Sequence, residues 1–155
     1  MQLTDILELS CIKAPLEAGE KYQSITELMD LLALNGKLTD YQAALKAVMD
    51  REAVRSTGVG QGFAIPHGKS AGVDRLVMAL GKVDKPIDFD SIDGQPVTMI
   101  ILLVSPIDKT GPHIQAIARI SRLMTDKDLR QRLWNSSTAH EIYQHIAEHE
   151  KKPIV

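Results

Sequence analysis

Cysteine is nearly absent: Cys11 is the single thiol among 155 residues. That excludes an intrachain disulfide and any zinc site built on several cysteines. No charge of one sign dominates either. Eighteen basic residues face 20 acidic ones, giving a formal net charge of -2 and a pI near 6.2, so there is no electrostatic footprint for nucleic acid. No apolar run approaches the length of a membrane span. The first residues, MQLTDILEL, carry acids where the basic n-region of a signal peptide would sit. No internal repeat or low-complexity tract is visible. These absences predict a cytoplasmic protein with no membrane insertion. What remains is an ordinary globular composition, 44% hydrophobic, and residues 1–155 fit one domain with its own core.

The patterning predicts helices and strands in mixed order. Met1 to Ala18 alternates weakly and reads as a short helix followed by a strand. Gly19 to Lys21 reads as a turn, and Ser24 as the N-cap of a helix through ITELMDLLALNG, closed by Asn35-Gly36. Thr39 opens a second helix with Tyr41, Ala44, Leu45, Val48 and Met49 on one side. Five glycines in STGVGQGFAIPHGKSAGVD argue for loop around a short strand at Phe63 to Pro66. Arg75 to Val83 is strand-like, and Pro86 to Pro96 loop-like and acidic. Val97 to Val104, VTMIILLV, is apolar at nearly every position and predicts a strand buried on both faces. Thr110 to Met124 forms a helix with Pro112 in its first turn. A helical turn at Asp126 to Leu133 follows, and then a helix capped by Ser137 or Thr138. The expected class is α/β, a mixed central β-sheet flanked by helices.

One short stretch, GFAIPHGKS at residues 62–70, carries the chemistry. Pro66 fixes its own φ and biases Ile65 toward an extended conformation. Together they aim the backbone of His67 in one direction. Gly58, Gly60, Gly62 and Gly68 remove side chains nearby, leaving room for a large object to reach the imidazole and for exposed amides to receive an anion. A nucleophilic histidine needs one ring nitrogen free and the other held by an acceptor. On its own the triplet also fits a histidine that simply packs at a strand end. A second histidine shifts the balance: His113 lies in the first turn of the helix after the buried strand, where unpaired N–H groups and partial positive charge favour anions. If the strands ending at Pro66 and Val104 are neighbours, the two imidazoles meet at one sheet edge. Arg51 and Arg55 stand at the end of the second helix. Either can offer a bidentate cation to phosphate, and both equally fit a solvated helix end.

Residues 47–69, AVMDREAVRSTGVGQGFAIPHGK, resemble the signature of the phosphotransferase-system IIA domain of the fructose/mannitol/nitrogen-regulatory class. KPIDFDSIDGQPVTMIILLVSP, then HIQAIARISRLM and DKDLRQRL, are similar to the later blocks of that family, so the resemblance runs over essentially the whole chain. It implies a phosphotransferase component with a phosphohistidine intermediate and no cofactor or metal. His67 would be the phosphoacceptor, as a tele-phosphohistidine, taking the group from an HPr-type phosphocarrier and passing it to a cysteine of a IIB domain. His113 and Arg51 match the residues that support the phosphate; Arg55 matches none. The alternative role is a nitrogen-regulatory protein whose phosphorylation state controls a protein partner. No IIB or IIC region follows within the 155 residues, which predicts a diffusible protein in either role. Gln61 departs from the usual asparagine by an added methylene, and Phe63 replaces an aliphatic residue, an expected core change.

Three other features stay outside this reading. In DFDSIDGQ, Asp88 to Gln95, the third acid comes one place late for an EF-hand and no bidentate glutamate follows; a loop turning into the buried strand is expected instead. His145 and His149, at i and i+4 on the last helix, have metal-ligand spacing but are expected on a solvated face. Cys11 lacks the glycines and hydroxyls of a phosphate-cradling loop, and a buried thiol is expected.

Overall fold

The computed structural model describes residues 1–151. After two tight single turns at Leu3–Asp5 and Leu9–Cys11, the elements are β1 (Ile12–Lys13), α1 (Lys21–Leu34), α2 (Tyr41–Val54), β2 (Gly58–Gly60), β3 (Phe63–Ala64), β4 (His67–Lys69), β5 (Val77–Ile87), β6 (Val97–Ser105), α3 (Thr110–Thr125), α4 (Lys127–Asn135) and α5 (Ala139–Glu150). This is the expected α/β class, with a mixed six-stranded sheet in the order β1-β5-β6-β3-β2 and β4 also paired with β6.

β6 is the axis of the sheet. Antiparallel β5 pairs along one side of it, and β3 and β4 pair parallel with successive parts of the other side. Its side chains alternate between two apolar layers. Ile100, Leu102 and Val104 pack with Ile25, Leu28, Leu32, Ala44 and Val48 of α1 and α2. Met99 and Ile101 pack with Ile120, Leu123, Leu129, Leu133, Ile142 and Ile146 of α3, α4 and α5. An apolar run with no polar face therefore folds as a strand covered on both sides.

Helix starts differ from the sequence reading where capping was decided by tertiary placement. α1 begins at Lys21, because the Glu20 carboxylate accepts from the Gln23 amide; Ser24 sits one turn inside, its hydroxyl donating to the Lys21 carbonyl at 2.6 Å. Asp40, not Thr39, caps α2 through the Ala43 amide, and Thr138 caps α5 through Glu141. β5 runs on to Ile87, past Pro86, which falls in the irregular stretch between the Lys82 and Ile87 pairings where no ladder donor is needed. Phe63 is a core residue as expected, its ring 6.0 Å from that of Trp134, and Cys11 is a buried free thiol.

Candidate functional site

His67 is the first residue of β4, in register with Leu103 of β6. The strand segment is brought close to α2 by Gly68. A Cβ there would stand 3.0 Å from the backbone of Ala47 and Val48, so the missing side chain lets β4 lie close against that helix. α2 ends immediately beyond, carrying Arg51 in its last turn. β6 ends at Ser105, and α3 starts five residues later with His113 in its first turn. The two histidines thus meet where β4 begins and β6 is about to end, β4 being bonded to β6 alone, so the two imidazoles come together at one edge of the sheet as the sequence suggested. Their ring centroids are 5.5 Å apart, with an interplanar angle of 54°.

Each imidazole is held by one nitrogen. His67 Nδ1 lies 2.7 Å from the Ile65 carbonyl oxygen. A carbonyl only accepts, so Nδ1 carries the proton and Nε2 keeps its lone pair. The carbonyl is available because Ile65, extended before Pro66, leaves the ladder. His113 is buried, and its Nδ1 lies 2.7 Å from the Ser105 hydroxyl. Burial, followed by the charges of His67 and Lys69, pushes the His113 pKa down to about 4. Burial also holds His67 below the ordinary imidazole range; the Ile65 carbonyl pulls against it, Arg51 adds to the lowering, and Glu52 opposes. Both rings are therefore neutral at pH 7.

A cavity of about 640 Å³ opens beside His67, lined among others by Arg51, Arg55, Val59, Asp90, Ile92 and Ile117. Arg51 donates through Nη1 to the backbone carbonyl of Arg55 at 2.9 Å. Both arginines predicted from sequence reach this space, but the side chain of Arg55 is exposed. The arrangement offers an unprotonated ring nitrogen and guanidinium groups at one opening, with a second neutral imidazole packed against the first, groups suited to receiving and holding a phosphoryl group.

Residues 5–149 match the family described as phosphoenolpyruvate-dependent sugar phosphotransferase system, EIIA 2. The chain belongs to this family. As an EIIA-type domain it is 36% identical over 148 residues to a nitrogen regulatory protein of Bradyrhizobium diazoefficiens, covering 95% of each chain. It is 34% identical over 151 residues to the fructose-specific EIIABC component of Bacillus subtilis, with 97% of this chain matched to 24% of that longer protein. Nitrogen regulatory protein IIA-Ntr from Neisseria meningitidis superposes with a TM-score of 0.85 at 33% identity, covering 93% of this chain and 98% of that one. Relatives of both the sugar and the nitrogen-regulatory kind are thus present, and both carry the EIIA phosphocarrier fold.

The candidate site also contains residues that the sequence reading passed over. Lys69 follows His67 by two positions on β4, hence on the same face, and its ammonium meets Thr110 Oγ1 at 3.1 Å at the start of α3. Ser105 closes β6 opposite Lys69. The period-two spacing His-Gly-Lys was the available signal for the first; nothing local marks the second. Gln61 is not brought to the His67 cavity. It sits at φ 59° between two glycines that also have positive φ, with its amide donating to Asp93 Oδ2 at 3.1 Å. The acids of the 88–95 loop serve backbone amides in this way, Asp93 also accepting from Gln95 and Asp88 from Asp90. His149 is not on a free helix face: its Nε2 lies 3.1 Å from Asp126 Oδ2. Among the described residues no group of three or more His, Cys, Asp or Glu is placed to hold a metal ion, and no helix is long and apolar enough to cross a membrane.

Proposed function

We propose that this EIIA domain carries a phosphoryl group on Nε2 of His67, taken from a phosphohistidine of an HPr-type phosphocarrier. The observation that carries the reading is the contact between His67 Nδ1 and the Ile65 carbonyl, which leaves Nε2 as the nucleophile. The Nε2 lone pair forms the new N–P bond while the donor's N–P bond breaks and its electron pair returns to the donor imidazole. No proton has to leave Nε2. The Ile65 carbonyl stabilises the positive charge that the ring acquires. Arg51 supplies a planar fork to the phosphoryl oxygens. The Ser105 hydroxyl, donating to His113 Nδ1, would leave the proton of that ring on Nε2, where it donates to the same oxygens.

In onward transfer a thiolate of a IIB domain attacks phosphorus and the His67 N–P bond breaks, regenerating the neutral imidazole. The second reading, a nitrogen-regulatory role in which the phosphorylated and free forms address a protein partner differently, is favoured by the 36% identity to a nitrogen regulatory protein along nearly the full length of both chains. Both roles belong in the cytoplasm and use the same His67 chemistry.

The test is incubation with phosphoenolpyruvate, enzyme I and HPr, read by intact mass. The wild type should gain one phosphoryl group, labile in acid and stable in base, and His67→Ala should gain none. Labelling of His67→Ala at the wild-type rate would remove His67 from the mechanism. Adding a IIB domain then separates the roles: transfer to its cysteine marks the sugar pathway.

A further inference from the structure

One buried ion pair lies behind the site and is untouched by the mechanism above. The Glu52 side chain is wholly buried at the end of α2, and its Oε1 lies 2.9 Å from Nζ of Lys21, the first residue of α1. A buried carboxylate is tolerated only when its remaining lone pairs are filled. Here Thr57 fills them from a single residue: its amide donates to Oε1 at 3.1 Å and its hydroxyl to Oε2 at 2.5 Å. The Thr57 carbonyl in turn accepts from the Ile65 amide at 2.9 Å. The Ile65 carbonyl, on the other side of the same residue, receives His67 Nδ1.

We infer that Glu52, clamped by Lys21, is a positioning residue for His67: through Thr57 it fixes the Ile65 backbone, and through the Ile65 carbonyl it fixes which ring nitrogen is free. This rests on the reading of His67 as phosphoacceptor. The need for such a support follows from the local sequence. Ile65 and Pro66 lie between β3 and β4, the two segments that pair with β6, and Pro66 has no amide to contribute. The Ile65 carbonyl points away from the sheet toward the ring, so the sheet does not orient it. The anchor comes from the Thr57 side, and Thr57 is itself in the glycine-rich connection after α2, where Glu52 is the group that grips both its polar hydrogens. The charge is placed to matter as well: Glu52 opposes Arg51 at the imidazole, with His113 packed against the ring and Arg55 and Asp90 lining the same cavity.

The experiment compares wild type with Lys21→Met/Glu52→Leu and with Thr57→Val. Removing both charges together avoids a lone buried ion, and an apolar replacement of a buried pair is often neutral for stability. Two readouts are taken: ring ¹⁵N shifts of His67 in the unphosphorylated protein, and the rate of phosphoryl gain from HPr. In the wild type the Nδ1–H tautomer should dominate. In the double variant the two tautomers should mix, and the rate should fall about tenfold to a hundredfold, the scale of a small misplacement of a reacting group, although the thermal midpoint is retained. Thr57→Val, which deletes one hydroxyl contact, should act in the same direction by about fivefold; it decides the matter if the double variant does not fold. A folded variant that keeps either the wild-type tautomer or the wild-type rate overturns the assignment. If the wild type accepts no phosphate but its tautomer still depends on Glu52, the phosphoacceptor reading falls and the positioning role stands.

Discussion

Acidification should weaken the fold through His113, and the size of the effect follows from its surroundings. The unfolded chain takes a proton on this ring at the ordinary value near 6.5, whereas the folded chain resists until about 4. The imidazolium is disfavoured by burial first, and by His67 and Lys69 next. The stability tied to the neutral ring is therefore whole above pH 6.5 and is lost as pH falls from 6.5 toward 4. At pH 5 the loss integrates to roughly 2 kcal/mol as an upper figure, and roughly 1 kcal/mol once solvent at the mouth of the site is allowed for. Urea unfolding at pH 7.5 and pH 5 measures it, with His113→Gln as the reference, since glutamine keeps a hydrogen-bonding group but does not titrate. The wild type should lose 1 to 2 kcal/mol more than the variant over that interval, by the same linkage. Parallel losses, within about 0.3 kcal/mol of each other, would show that the ring is not protected from protonation and that the argument from burial is wrong.

Three further outcomes are expected. Arg51→Lys should fall between wild type and Arg51→Ala in phosphotransfer rate, because lysine keeps charge but loses the fork; Arg55→Ala should change the rate little, since Arg51 is held by the Arg55 backbone carbonyl and not its side chain. Gly68→Ala should destabilise by about 1–3 kcal/mol and slow phosphoryl gain, as the methyl group would push β4 off the backbone of α2; unchanged melting would refute the close approach. Gln61→Asn should raise stability by about 0.5 kcal/mol without changing phosphotransfer, because asparagine tolerates the left-handed conformation at φ 59° better than glutamine.

The parts of the fold written in local patterns were legible. VTMIILLV could only be a strand covered on both faces, and the apolar stripes of α2 and α3 marked their helices. That His67 and His113 come together was legible, because Pro66 and the first turn of α3 each give a side chain a direction; Arg51 could be told from Arg55 only by resemblance, since both stand at the end of the same helix. What escaped reading depends on distant partners. β1 has two residues and exists through Leu80 and Gly81 of β5. The start of α1 moved from Ser24 to Glu20 because Ser24 is buried at the helix–sheet interface, where a hydroxyl is satisfied by its own helix. β4 looked like loop because its glycine serves packing against α2, not a turn. Lys21 and Glu52 are 31 positions apart, and no local pattern links them; only folding shows that they pair and that neither is at the surface.

The His67 imidazole sits on a strand bonded to the central axis of the sheet, with its ring pinned to a backbone carbonyl. Such a mounting gives the side chain little room to swing. If His67 carries the phosphoryl group as proposed, a partner must bring its own reactive group to a fixed address, and donor and recipient must use that address in turn. Loading the site adds about two negative charges while leaving the backbone around it in place. Loaded and empty forms would then differ in electrostatic potential far more than in shape. Any protein that tells them apart does so by charge, and its discrimination should fade as salt is raised toward 1 M, where the screening length falls to about 3 Å.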